Sequence, residues 1–522
     1  MSTSAPAPPP PTDSASAPPA PYRSRLGPGK DGFGRLLAAE WTKLHSVRRW
    51  TVVLITGLGL TVLISLLSAN GSEISGDGPS DVLRGPDGTT VSDSFRFVHQ
   101  PLDGDGTVTV RVDRLVPGGG ASEPGDKQLT PAPWAKAGLL VKASTKPGAT
   151  YAAVMLTRSH GVRFQSDFVH DTAGSAAKPE VPRWLRLVRA GDLVTGYESA
   201  DGVSWDKVGS TRLKGLPGTV EVGMFVASPF ANTYERAFGT TSASSFPTIS
   251  QADFGQFSVQ GRTGGELGDD FVGQAPGDQG EAQERDGIHT VSASGDIAPT
   301  ETDMDLVQTA LSGAAIGLIP FAALGVLFIT AEYRKDMIRT TFTVSPRRGR
   351  VLAAKSVVLS GTVFAVGVVA AAVSAALGIK ALRDAGHRPP MFPDVAWTDG
   401  PALRAIVGTA AVLALVALLA LGLGALLRNT AAAVTLLVVV MVLPQVLVSG
   451  LPLEVSRFIM RATPVAGFGV QDTRVDVPQV DDVCLPDNGC TGSSPWSGLL
   501  VLAAYTAVVL AAAAWKLRRR PV

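Results

Sequence analysis

Six apolar runs constrain this chain more than any other feature: about 51–69, 306–330, 352–378, 402–427, 431–450 and 497–515. A helix needs roughly 20 mostly apolar residues to cross the hydrocarbon core of a bilayer, and each run approaches or exceeds that length. None carries an ionisable residue near its middle. A core helix of a water-soluble domain would be shorter and would keep a polar stripe. The runs predict an integral membrane protein, and a charged fraction of 17% over 522 residues agrees with that class. The first run follows 50 residues, too many for an ordinary cleaved signal, and reads as a retained anchor.

Lys and Arg in short flanks set orientation. They gather before the first run (Arg23, Arg25, Lys30, Arg35, Lys43, Arg48, Arg49) and after the second (Arg334, Lys335, Arg339, Arg347, Arg348, Arg350, Lys355). Arg428 lies between the fourth and fifth runs, and Lys516, Arg518, Arg519 and Arg520 follow the sixth. With six alternating crossings all of these fall on one side, so both termini are expected to be cytoplasmic. The net charge of +1 is then a cancellation across a membrane. Residues 70–305 hold 20 Lys/Arg against 31 Asp/Glu, while the cytoplasmic segments hold 19 against 5. A basic inner side suits anionic lipid, and the acidic outer region gives no sign of a nucleic-acid partner.

The predicted fold is a polytopic α-helical membrane protein with a large all-β sandwich, jelly-roll-like, inserted between helices 1 and 2. Residues 1–32 form a Pro/Ala-rich tail expected to be disordered, with eight prolines in the first 21 positions. Over 33–50, Phe33, Leu36, Leu37, Trp41, Leu44 and Val47 recur at helical spacing among bases. That pattern predicts a helix lying in the cytoplasmic interface, against the plainer reading of an extension of the first span. From 70 to 305 short alternating runs dominate, such as Val108, Val110 and Val112, with an Asp201-Gly202 turn signal. The sandwich core is placed at 92–260, with 262–305 as a Gly- and acid-rich return linker bearing at most one strand. The remaining plan is a cytoplasmic helix and loop at 331–351, spans at 352–378, 402–427 and 431–450, an outer loop with short helices at 451–496, a last span at 497–515 and a basic tail at 516–522.

No enzyme constellation emerges. Six histidines are scattered, and no metal-ligand spacing is present. The strict phosphate loop is missing, its nearest string being Gly29-Lys30-Asp31, so no ATP hydrolysis is expected from this chain itself. The spans lack the buried ionisable groups that ion-coupled carriers keep at a cost in lipid. Any transport is expected to draw its energy from outside the bilayer. Cys484 and Cys490 suit a small disulfide in an oxidising compartment, the alternative being two unpaired thiols. The segment Ala331 to Lys355 mixes charges with Tyr333, Met337, Ile338 and Phe342, which looks like a docking helix rather than a loop that is merely basic.

Two strings, AAEWTKLHSVRRW (38–50) and TAEYRKDMIRTTFTVSPRRGRVLAAK (330–355), resemble the permease subunits of ABC-2-type ATP-driven exporters, especially actinobacterial ones. The resemblance implies that 33–49 is the connecting helix and that 332–342 couples to a separate nucleotide-binding subunit. Glu332, Tyr333, Arg334, Met337, Ile338 and Arg339 would make that contact. ATP and Mg would be bound by the partner, with no cofactor in this chain, and the permease would pair with itself or with a second permease. A large first outer loop departs from the family's usual short one. The inserted domain resembles concanavalin/laminin-G-like modules, in which Trp134, Trp184, Tyr197 and Trp205 could stack on an extracellular glycan or polymer, or simply pack within the sheet. The sequence thus points to a multi-pass plasma-membrane exporter subunit with an extracellular lectin-like domain. The competing expectation is a membrane-anchored surface receptor or glycan-binding protein without transport.

Overall fold

The computed structural model describes residues 32–72, 82–118, 132–237, 240–300, 304–334, 348–389, 392–474, 477–480, 485 and 494–519. Among them are six helical stretches long and apolar enough to cross a membrane. Helix α1 (Phe33–Ser46) turns at Val47, whose extended backbone breaks the helix, into α2 (Arg48–Asn70). After the β region come α3 (Leu306–Leu311) and α4 (Ala314–Arg334), which together form the second stretch, then α5 (Arg348–Asp384) and α6 (Gly400–Leu427). The chain continues through α7 (Thr430–Val448), α8 (Leu453–Ala462), a 3-10 helix over Pro464–Gln471, and α9 (Pro495–Arg519).

The long helices alternate in direction, so α1 and the C-terminal end of α9 share one end of the bundle, with Leu44 and Leu517 in the same core cluster. Helix α6 is central: 72% of its apolar window is buried, against 22% for α2 and α9 and 28% for α7. Small residues permit the closest approaches. Gly313 and Gly317, spaced four apart at the start of α4, face Thr61 and Ser65 of α2, and a Cβ at Gly317 would overlap the Thr61 hydroxyl. This is the small-xxx-small logic by which apolar helices gain contact when no hydrophobic drive separates them from their surroundings.

Between α2 and α3 the regular structure among the described residues is all β. The strands are β1 (Val91–Asp93), β2 (Phe95–Pro117), β3 (Lys136–Lys142), β4 (Tyr151–Thr157), β5 (Val162–Ser166), β6 (His170–Ala173), β7 (Arg183–Ala190), β8 (Leu193–Ser199) and β9 (Asp206–Arg212). They continue as β10 (Thr219–Ala227), β11 (Ala231–Ala237), β12 (Thr240–Phe246), β13 (Ser250–Thr263), β14 (Gly268–Val272), β15 (Ala282–Arg285), β16 (Ile288–Ala293) and β17 (Ile297–Pro299). The hinge of this unit is β2. Its first part pairs with β10 and β14, and beyond Gly104, at φ 73°, its second part pairs with β7 and β13. One antiparallel sheet is thereby folded over itself, nearly closed, with alternate residues of both wings meeting inside: Val108, Val110 and Leu187 against Leu139, Val154 and Val222. The sequence led to two separate layers; continuity through β2 makes them one sheet. Residues 262–305, read as a linker, instead carry β14 to β17, because their sparse apolar residues (Phe271, Val272, Val291, Ile297) suffice to cover sheet edges.

At the neck, β1 pairs with β17, so the chain entering the domain is tied to the chain leaving it. Buried salt bridges join the neck to β3. Lys142 Nζ lies 2.7 Å from Asp93 Oδ2, with both side chains fully buried, and Lys136 Nζ lies 2.7 Å from Asp296 Oδ1. The rings of Phe95, Tyr151 and Phe168 surround the Lys142 ammonium at 5.5–5.8 Å. Burial lowers the Lys142 pKa despite the attraction of Asp93, and burial likewise raises that of Asp93. The β domain also touches the α8–α9 connection, since Gln479 Nε2 donates to Phe168 O at 2.8 Å. Phe168 and its neighbour Asp167 both have positive φ, a costly backbone for side-chain-bearing residues. The 3-10 helix falls in the outer loop 451–496, where the sequence placed short helices over 453–468 that would rest on the outer surface. It is buried between α6 and α9 instead, because Gly408 and Gly498 leave room for Val470 and the Ala466 carbonyl.

Candidate functional site: a buried charge cluster

Helix α1 carries Leu37, Glu40 and Leu44 on one face, spaced 3 and 4, so an acid sits in the middle of an apolar stripe. That stripe packs on α4 and α5, and Leu44 and Glu40 are buried. The opposing helices bring Glu332, in the last turn of α4, and Lys355, in the second turn of α5. Lys355 Nζ is 2.7 Å from Glu40 Oε2 and 2.7 Å from Glu332 Oε1. Lys43 Nζ closes the cluster, 2.9 Å from Glu40 Oε1 and 3.2 Å from Glu332 Oε1. Two carboxylates and two ammonium groups balance, and the Phe328 ring lies 4.5 Å from Lys355 Nζ.

Lys355 is 1% exposed, Glu40 3% and Glu332 8%, whereas Lys43 is 40% exposed and forms the solvent side of the cluster. Burial pulls the Lys43 pKa down, but hydrogen bonding and attraction from Glu40 and Glu332 outweigh it, leaving a net rise above the ordinary 10.5. With the folded value raised, the contribution of Lys43 is fully present below pH 10.5 and is lost as pH rises through the folded value. Desolvating ions is expensive, so a cluster of this kind is weak as a stabiliser relative to an apolar core. Its physical strength is registry: three segments distant in sequence are held in one relative position.

Next to the cluster, Tyr333 packs under Arg428, whose guanidinium carbon is 5.3 Å from the ring centroid. Arg428 caps α6 with φ 53°, and the following turn is tied to α4 by a Thr430–Thr330 hydroxyl bond of 3.0 Å. Of the residues expected to contact a partner, Glu332 turns into the cluster and Tyr333 packs beside it. The side chain of Arg334 and all of Met337, Ile338 and Arg339 lie outside the described residues, as do Cys484 and Cys490.

The four aromatic residues do not form one platform. Trp134 is 2% exposed and stacks on His160 at 4.0 Å, with Arg163 and Lys136 nearby, so it is a core residue. It lies in the turn just before β3, where the His160 ring, Arg163 and Lys136 enclose it. Trp184, Tyr197 and Trp205 share the outer face of β7 to β9. There the Gly202 turn lies against the Trp184 ring, and the Arg186 guanidinium covers Trp205 at 3.7 Å. The sequence reading passed over Glu40 and the pairing role of Lys355. The signal for both was a charge on an otherwise apolar helical stripe.

No family model and no curated protein matches this chain. Among solved structures it is similar to a functionally unknown protein from Saccharomyces cerevisiae, with 16% identity and a TM-score of 0.22, over 36% of this chain and 86% of that one. It is also similar to the GH43 BlXynB protein from Bacillus licheniformis, with 19% identity and a TM-score of 0.18, over 30% of this chain and 28% of that one. A third likeness is to SCP-B of the Eqolisin family of peptidases, with 12% identity and a TM-score of 0.23, over 39% of this chain and the whole of that one. Likenesses this distant carry no argument about function.

Proposed function

We propose that this chain is the permease subunit of an ABC-2-type ATP-driven exporter, set in the plasma membrane with both termini cytoplasmic and the β domain outside. One observation carries the reading. The two strings that resemble the family, 38–50 and 330–355, each supply two members of the charge cluster: Glu40 and Lys43 from the first, Glu332 and Lys355 from the second. Residues that looked like separate motifs thus have a common physical task. They fasten the interfacial helix α1 to the end of α4 and the start of α5, the two helices that flank segment 335–347.

In this reading a separate ATPase subunit binds ATP and Mg and presses on segment 331–347 as its nucleotide-binding halves close. A loosely attached segment would absorb that motion locally. The cluster makes α1, α4 and α5 respond together, so a push at the cytoplasmic end tilts helices rather than bending a loop. Glu332 then acts by positioning, and the direct contact falls to Tyr333 and to Met337, Ile338 and Arg339. Dimerisation with itself or with a sister permease completes the path.

The test is co-expression with candidate ATPase subunits bearing Walker motifs, followed by purification in mild detergent. A 1:1 association with permease-stimulated ATP hydrolysis is expected, reduced by Tyr333→Asp or Ile338→Asp. Absence of any associated ATPase, or variants that bind and stimulate as the parent does, would sink the assignment.

A further inference from the structure

At the neck of the β domain, Asp93 closes β1 and Lys142 closes β3, and among the described ion pairs theirs alone has both side chains at 0% exposure. Lys142 Nζ lies 2.7 Å from Asp93 Oδ2, and a second donor, the Gly148 backbone N–H, reaches the same oxygen at 2.7 Å. Gly148 has φ 79°, and a Cβ there would meet the Arg84 carbonyl at 2.5 Å, so the turn comes this close only as glycine. Ala149 O accepts from Lys142 Nζ at 3.1 Å and helps to aim the amine. The buried rings of Phe95, Tyr151 and Phe168 shut water out around it. Burial moves both groups toward their neutral forms, the amine downward in pKa and the acid upward. In water an amine and a carboxylic acid do not condense, because each is ionised and neither is held against the other. Here desolvation opposes the ionisation and the fold supplies the contact.

We propose that the Lys142 amine and the Asp93 carboxyl condense to an isopeptide bond, which ties β1 covalently to β3. The neutral amine attacks Cγ of the neutral acid. A C–N bond forms as the carbonyl π pair moves onto Oδ2, where the Gly148 N–H meets the developing charge. The nitrogen, now cationic, lies in the field of Asp167, the other carboxylate that acts on Lys142. Both donors sit on Oδ2, which leaves Oδ1 as the departing hydroxyl. The nitrogen's proton passes to it, the Cγ–Oδ1 bond breaks and one water leaves. A primary amine and a carboxylic acid become a secondary amide and water, with no other reactant. The dry wall that favours the neutral partners also protects the amide from hydrolysis. Until the bond forms, the pair is an ordinary buried ion pair, and exchanging both partners for apolar ones keeps stability near that of the unbonded chain. The bonded chain is more stable than either, because its unfolded state carries a closed loop. The bond requires only the neck, so it stands independently of any transport role.

The experiment is the mass of the full chain, purified in mild detergent and then unfolded and reduced, followed by protease digestion. Wild type is expected to weigh one water less than its sequence, about 18 Da, and to yield a branched peptide joining the segment with Asp93 to the segment with Lys142. Lys142→Arg keeps the cation without a reactive amine, and Lys142→Met removes both. Each should have the full mass and release the two segments separately. Resistance of the native β domain to the same protease verifies that it was folded. A folded wild-type chain at full mass, with both segments linear, would overturn the proposal whether or not any variant folds. So would a water loss that persists in both lysine variants, as a succinimide at an aspartate would give. A branch joining a different pair, such as Lys136 and Asp296, would overturn it as well.

Discussion

Replacing Lys355 by Met tests the charge cluster most directly, because methionine nearly matches the length of the side chain and removes only the ammonium. In the native cluster that ammonium lies 2.7 Å from carboxylates on two different helices. Once it is gone, Lys43 alone must serve two nearly buried acids, and Lys43 is 40% exposed. Removing one partner of a buried ionic set costs about 3–5 kcal/mol, because the orphaned charge keeps its desolvation penalty. At about 1.4 kcal/mol per tenfold, that is two to nearly four powers of ten in the unfolding constant. Trp50 packs edge-on to Phe328 at 5.1 Å, so its fluorescence reports on this corner during a denaturant titration in detergent. Adding Glu332→Gln to Lys355→Met leaves one acid and one base and should recover most of the loss. A single variant within about 0.5 kcal/mol of the parent, or a double variant equal to the sum of its parts, would refute the reasoning, since neighbours in one network do not behave additively.

At the neck of the β domain, Asp93→Ala should cost about 3–5 kcal/mol, while the paired change Asp93→Leu with Lys142→Met should be close to neutral or stabilising, measured by denaturant unfolding. The opposite order would mean that the pair is a net stabiliser, against the directions in which burial moves both groups. Gly317→Ala places a methyl on the Thr61 hydroxyl and should lower stability by about 1–3 kcal/mol, with Thr61→Ala restoring part of it in a thermal scan. Gln479→Ala leaves the buried Phe168 carbonyl without its 2.8 Å donor. Hydrogen exchange at residues 164–173 should accelerate while the helix bundle melts as before, a loss of about 1–3 kcal/mol confined to one turn. Unchanged exchange there would show that the contact does not hold the turn.

The cluster and the neck share a design. Each uses charges where an apolar contact would be energetically simpler, and each does so where segments far apart in the chain must meet in one register. Lys355 and Glu40 are 315 residues apart, and Lys142 and Asp93 are 49 apart. Apolar side chains slide past one another at little cost; an ion pair in a dry site has a single good position.

What the sequence determined alone was everything local. The apolar runs specify six long helices whatever they pack against, since their length and lack of charge leave few alternatives. Strict alternation such as Val108, Val110 and Val112 specifies strands in the same way. The apolar stripe of α1 was legible, whereas the acid within it, Glu40, went unread. Tertiary structure alone decided who answers that acid, because nothing near Glu40 in the chain marks Glu332 or Lys355 as its partner. It also decided that β2 serves both wings of one sheet, that β17 closes the neck against β1, that Trp134 is core while Trp184 and Trp205 are not, and that the Arg428 guanidinium packs on the Tyr333 ring. The physical reason is the same in each case. Periodicity reports which side of an element is apolar, whereas pairing depends on which distant surface arrives there, and that is settled only when the whole chain packs.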